Sequence, residues 1–339
     1  MKLPGAVVRI LPLAAMLLLP AGVNAQAAKP QPSVVSIGQA GSRYIYTVNG
    51  KESLLIGMGY NPIYRTMAND MRAAAYRRDF KLLCQAGVNT ITGWDSDKGF
   101  EQDRFDEVTL DAANQYGIGV IMPIFMPADR DYTDPGLIGY VLQEATAKVT
   151  RFKDHPALRM WGVGNEVLTV MPPEQHASFL QVYLNIIDLV HQLDPNHPVI
   201  YREAEDEFVP ELVQLLQDSG NPRPWWLYGM NIYDKDPAPL LRNWPLLGMN
   251  RPLFVSEFGY EGSSPAERAQ GYVTMWRTIR AFPEYVLGAA PYVWSAAGPE
   301  PTDSKWGLMR ADSVPVDDTF GKLAQGWRLE PKANGPNCG

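Results

Sequence analysis

The chain has 339 residues, 46% of them hydrophobic, with 37 acidic against 30 basic side chains and a net charge of -7. That balance provides no basic stripe for phosphate, so a nucleic-acid partner is excluded and an uncharged ligand fits better. Two cysteines, Cys84 and Cys338, are too few for a fold built on disulfides.

Residues 1–25 read as a signal peptide: Lys2 and Arg9 lead into an apolar run over 11–19, followed by Pro20 and the small-residue pattern Val23-Asn24-Ala25. The run is too short to span a bilayer, so the mature chain is expected to be secreted or periplasmic, with no membrane anchor. Residues 26–42 read as a mobile leader, 43–335 as one large domain and 336–339 as a tail. Asn49-Gly50 predicts the turn of an N-terminal β-hairpin, placed to plug a barrel floor.

Strands are then predicted over 54–60, 88–94, 118–125, around Trp161, and over 197–203, 226–233, 252–258 and 286–294. Between and after them, helices are predicted over 72–85, 103–116, 137–152, 173–193, 208–217, 239–244, 265–281 and 319–327. Strict alternation implies a parallel sheet, and eight such units close most simply into a (β/α)8 TIM barrel. An open doubly wound sheet is the alternative, but its Gly-rich phosphate turn is missing. In a closed barrel the first and last helices are neighbours, which makes a Cys84–Cys338 bridge possible; otherwise Cys84 is a buried thiol beside a free terminus.

Two stretches carry the chemistry. Arg159-Met160-Trp161-Gly162-Val163-Gly164-Asn165-Glu166-Val167 delivers an Asn-Glu pair at a strand tip, and Leu253-Phe254-Val255-Ser256-Glu257-Phe258-Gly259-Tyr260 repeats the design. Barrel enzymes display catalytic groups at such tips, and two carboxylates there suggest an acid and a nucleophile. Gly162 and Gly164 are expected to clear space for a substrate. The four histidines lack metal-ligand spacing, Gly162-Val163-Gly164 lacks the third glycine of a dinucleotide loop, and no Gly-x-Ser-x-Gly elbow is present. No metal or cofactor is expected.

At these residues the chain resembles the retaining glycoside hydrolases of clan A, the barrel families that include two, five and seventy-two. The stretch from His155-Pro156 to Glu166 is similar to their strand-four signature, and Phe254 to Gly259 to their strand-seven signature. Asp79-Phe80-Lys81, Gly87-Val88-Asn89-Thr90-Ile91 and Gly229-Met230-Asn231-Ile232-Tyr233 also resemble segments of that clan. The resemblance implies Glu166 as general acid/base, Glu257 as nucleophile, Asn165 as donor to the sugar 2-hydroxyl, Tyr233 as partner of the nucleophile and Trp294 as sugar platform. One position departs from it: where the clan places an arginine at the end of the second strand, this chain has Thr92, leaving Arg65 or Arg202 to supply the cation.

Tyr60, Tyr64, Trp94, Trp294 and Trp306 fall at or after predicted strand ends, where flat rings can pack on sugar C–H faces. The long loop over 295–318 reads as a lid or subsite wall, with Trp306 a candidate distal subsite. The expected activity is retaining cleavage of a β-linked glycan, in particular a β-glucan oligosaccharide or polysaccharide. The alternatives are a transglycosylase using the same glutamates and a catalytically silent polysaccharide-binding barrel.

Overall fold

A computed structural model describes Met1, residues 31–61, 63–64, 66–94, 105–331 and Cys338. The signal-peptide reading and Arg65 lie outside the described residues. Eight parallel strands close into a barrel: β4 (Leu55–Gly59), β5 (Thr90–Thr92), β6 (Gly119–Ile124), β7 (Leu158–Asn165), β8 (Val199–Ala204), β9 (Trp226–Tyr233), β10 (Leu253–Gly259) and β11 (Val286–Pro291). The order around the barrel follows the sequence, with β11 returning to β4, so the open-sheet alternative does not hold.

Local chemistry explains where the main helices start and stop. The first, α1 (Asn69–Ala86), ends at Gly87, whose φ of 100° is costly for any residue with a side chain. The second, α2 (Glu107–Gln115), starts where Asp106 accepts from the Val108 and Thr109 amides. That carboxylate also binds the buried Arg72 at 2.7 Å, tying α2 to α1. Proline at the first turn and an Asp134 cap open α3 (Pro135–Phe152).

Three antiparallel strands precede the barrel: β1 (Val35–Ala40), β2 (Arg43–Val48) and β3 (Lys51–Glu52), joined in the order β1-β2-β3. The turn between β2 and β3 is the predicted Asn49-Gly50, with φ of 52° and 74°. β1 corrects the leader expectation, because residues 35–40 are a paired strand: Val35 and Tyr46 are buried against Leu55, Ile121, Met160, Ile200, Leu227, Phe254 and Leu287 from inside the barrel. The Val35 amide donates to the Asn196 carbonyl and the Tyr44 amide to that of Glu284, just before β8 and β11 begin. The small sheet therefore seals the barrel floor, leaving the opposite face for chemistry.

Cys84 on α1 is bridged to Cys338, with Cα atoms 5.6 Å apart. The bond closes a sequence separation of 254 residues. Cys84→Ser or a thiol reductant is expected to cost roughly 2–4 kcal/mol of stability by widening the unfolded ensemble. A lower thermal midpoint, equal for variant and reduced protein, is the measurement that checks it.

Candidate active site

Glu166 follows β7 and Glu257 lies on β10, and both face one cleft of about 420 Å³ at the C-terminal end of the barrel. The pairing register shifts between Gly162 and Asn165 on β7 and between Phe254 and Glu257 on β10. Such irregularities re-aim side chains at strand ends. Glu166 also has φ 49° and ψ 34°, a left-handed conformation rare outside glycine.

Glu257 is 4% exposed. The Trp94 indole donates to its Oε1 at 2.9 Å, and the Tyr233 hydroxyl donates to its Oε2. Burial and the Glu166 charge push its pKa up to about 7, while Tyr233, Arg202 and Trp94 pull it down. Asn231 on β9, which sequence reasoning did not single out as a site residue, donates from Nδ2 to Glu166 Oε1 at 2.8 Å. The same amide reaches Asn165 Oδ1 at 3.4 Å, and its carbonyl accepts from Ser256 Oγ at 2.7 Å. A relay of hydrogen bonds thus runs from β10 through β9 to the Asn165-Glu166 pair. Its signal in the sequence was the position of Asn231 two residues before Tyr233, on the same strand face.

The cation is Arg202 on β8, 2% exposed. Its Nη1 donates to Thr92 Oγ1 at 3.2 Å and to the Gly93 carbonyl at 2.7 Å. Its Cζ also lies 6.0 Å from the Trp94 ring centroid. Thr92 therefore receives an arginine from across the barrel. The glycine expectation changes accordingly: a Cβ on Gly162 would sit 3.3 Å from the Arg202 guanidinium carbon, and one on Gly229 only 2.8 Å from its Cγ. Gly162 makes room for Arg202; the neighbours of a Gly164 Cβ would be Tyr201 and Val167.

Tyr60, Trp94, Asn165, Tyr233 and Trp306 line the cleft with the two glutamates, joined by Asn61, Tyr292 and Glu300. Trp306 stands 4.9 Å from Tyr233, ring to ring, so it lies beside the carboxylates and not at a distal subsite. Trp294 is not among the lining residues: its indole donates to buried Asp79 at 3.0 Å and packs on Phe320. Asp79 also takes the hydroxyls of Tyr60, Tyr64 and Ser313. A buried carboxylate needs every donor it can gather; Trp294 and Tyr64 serve this one and do not line the cleft, whereas Tyr60 both donates to it and lines the cleft.

The family model for the TIM-barrel domain of glycosyl hydrolases family 2 matches residues 43–287. The chain belongs to that family. A Vibrio cholerae β-galactosidase is 24% identical over 275 residues, covering 77% of this chain and 24% of the relative. A Bos taurus β-mannosidase is 25% identical over 239 residues, covering 65% and 25% respectively. The family-2 chain thus spans about a quarter of the length of these curated relatives. Among solved structures, a β-D-glucuronidase of Dictyoglomus thermophilum superposes with a TM-score of 0.64 at 18% identity, over 88% of this chain and 54% of that one.

With Glu257 titrating near 7, loss of Tyr233 has a predictable sign. The hydroxyl stabilises the carboxylate, so Tyr233→Phe raises the Glu257 pKa and moves the acid limb of kcat/KM upward by about one pH unit. A pH–rate profile of the free-enzyme parameter reads this directly, and an unmoved limb would separate Tyr233 from the ionisation.

Proposed function

We propose that this family-2 barrel is a retaining β-glycosidase, with Glu257 as nucleophile and Glu166 as general acid/base. The observation that carries the reading is the unequal surroundings of two carboxyls in one cleft: Glu257 is met by Tyr233, Trp94 and the Arg202 charge, whereas Glu166, among the described residues, accepts from the Asn231 amide. Those donors and that charge favour the ionised form of Glu257, the form in which it can attack, and the chemistry we propose has Glu166 deliver the proton. Glu257 then attacks the anomeric carbon as the glycosidic C–O bond breaks, and Glu166 gives its proton to the departing oxygen. In the second step Glu166 takes a proton from water, whose oxygen displaces Glu257 from the sugar.

The substrate we infer is a neutral β-linked glycan, a β-glucan in particular. Tyr60, Trp94, Tyr292 and Trp306 offer ring surfaces for sugar C–H faces. Glu300 adds a third carboxylate to the cleft lining, which opposes a uronate. Export through the residue 1–25 signal is part of the same reading, and the Cys84–Cys338 bridge suits an oxidising compartment. Incubation with defined β-glucan oligosaccharides tests it. The expected first-formed product is a β-anomeric sugar by NMR; an α-anomer would exclude double displacement, and activity only on other glycosides would exclude glucan.

A further inference from the structure

Glu203 is fully buried, outside the cleft, and the chemistry above makes no use of it. Side chains alternate along a strand. On β8, Arg202 therefore points into the barrel toward Glu257, while Glu203 points outward against the turn that follows Glu166. Its Oε2 accepts from the Leu168 amide at 2.9 Å and the Tyr201 hydroxyl at 2.6 Å. Its Oε1 accepts from the Thr169 hydroxyl at 2.7 Å and the Ala204 amide at 2.8 Å. Four donors and, among the described hydrogen-bond partners, no cation surround a carboxylate removed from water, where a charge is costly to hold.

Leu168 and Thr169 belong to α4 (Val167–Val170), one turn of helix and too short to hold itself together. The amides of a first turn have no acceptor within the helix and are usually met by the side chain of the preceding residue. Here that residue is Glu166, and its side chain makes no capping bond. Its left-handed backbone is disfavoured for a residue with a Cβ and persists only where neighbours over-determine it. Those neighbours are visible: the Glu166 amide donates to the Arg202 carbonyl at 2.9 Å, and Glu203 takes the capping bond that Glu166 leaves unmade.

We propose that Glu203 is a positioning residue for Glu166: by capping α4 from the adjacent strand, it releases the Glu166 carboxyl to face the cleft. The inference rests on Glu166 being the proton donor of the proposed mechanism. One strand then supports both carboxyls, Arg202 by charge beneath the nucleophile and Glu203 by geometry behind the acid.

The test separates loss of proton donation from general damage. Dinitrophenolate leaves a sugar without protonation, whereas phenolate gains from it, so the full chain is assayed on 2,4-dinitrophenyl and phenyl β-glycosides of glucose, galactose and mannose. Glu203→Gln keeps the size of the side chain but turns one acceptor into a donor. Misplacing a catalytic group by about 1 Å costs on the order of 100-fold, so kcat/KM for the phenyl substrate is expected to fall about 30- to 100-fold, against less than about 3-fold for the dinitrophenyl one. Thr169→Val, at an exposed position, removes a single donor and should shift the same ratio in the same direction by less. Glu166→Ala should show the widest split. If Glu166→Ala splits the two substrates while Glu203→Gln and Thr169→Val lower both alike or neither, the positioning role is overturned. If Glu166→Ala itself gives no split, the acid assignment falls and this inference with it.

Discussion

Glu257→Ala is expected to lose turnover by about 10⁵-fold, the scale on which removing a covalent nucleophile acts. The loss should appear in kcat/KM for every leaving group, because no substrate can form the glycosyl-enzyme without that oxygen. The cavity left by the side chain is walled by Trp94 and Tyr233, which donated to the two carboxylate oxygens. Arg202 supplies positive charge beneath it. A small anion suits such a space, so external azide should restore activity on a dinitrophenyl substrate. Azide would attack once, from the face Glu257 occupied, and the product should be the α-glycosyl azide. A β-azide would place the nucleophile elsewhere and end the assignment.

Glu166→Gln is expected to lower kcat/KM by about 10²- to 10⁴-fold on unactivated glycans, the range that general acid catalysis supplies. Ground-state binding should survive, since Asn231 can still meet the amide and the aromatic lining is untouched. Equal losses of binding and turnover would argue for a binding role in place of proton transfer. The variant also has a pH signature with a definite sign. The Glu166 charge is one of the causes that raise Glu257 to about 7; with a neutral amide there, Glu257 ionises at lower pH and the acid limb moves down. Tyr233→Phe moves it up. The two variants shifting the limb in opposite directions would identify it with Glu257.

The silent-barrel alternative has to account for why a protein that only binds glycan keeps a carboxylate 4% exposed and raised to about 7. Burying that charge lowers stability at neutral pH. A cleft that only stacked sugars would gain from an amide or an apolar side chain at the same place.

The eight strands and the strand-tip positions of Glu166 and Glu257 could be read from the sequence alone, because buried parallel strands are continuous apolar runs and their ends are marked by glycine, proline and polar residues. The hairpin turn at Asn49-Gly50 was equally legible, since its positive φ values demand those residue types. Local signals of this kind carry no information about which distant side chains meet. Whether Trp294 turned to sugar or to Asp79, whether Gly162 cleared space for substrate or for Arg202, and which residue supplied the charge absent at Thr92 depended on contacts across the barrel. β1 was missed for the same reason: residues 35–40 form a strand because the barrel floor offers Leu55, Ile200 and Phe254 to cover. The chain's own pattern determined its elements and its two acidic tips; the closure of the barrel decided which neighbours tune them, because desolvation and charge act through space and not along the polypeptide.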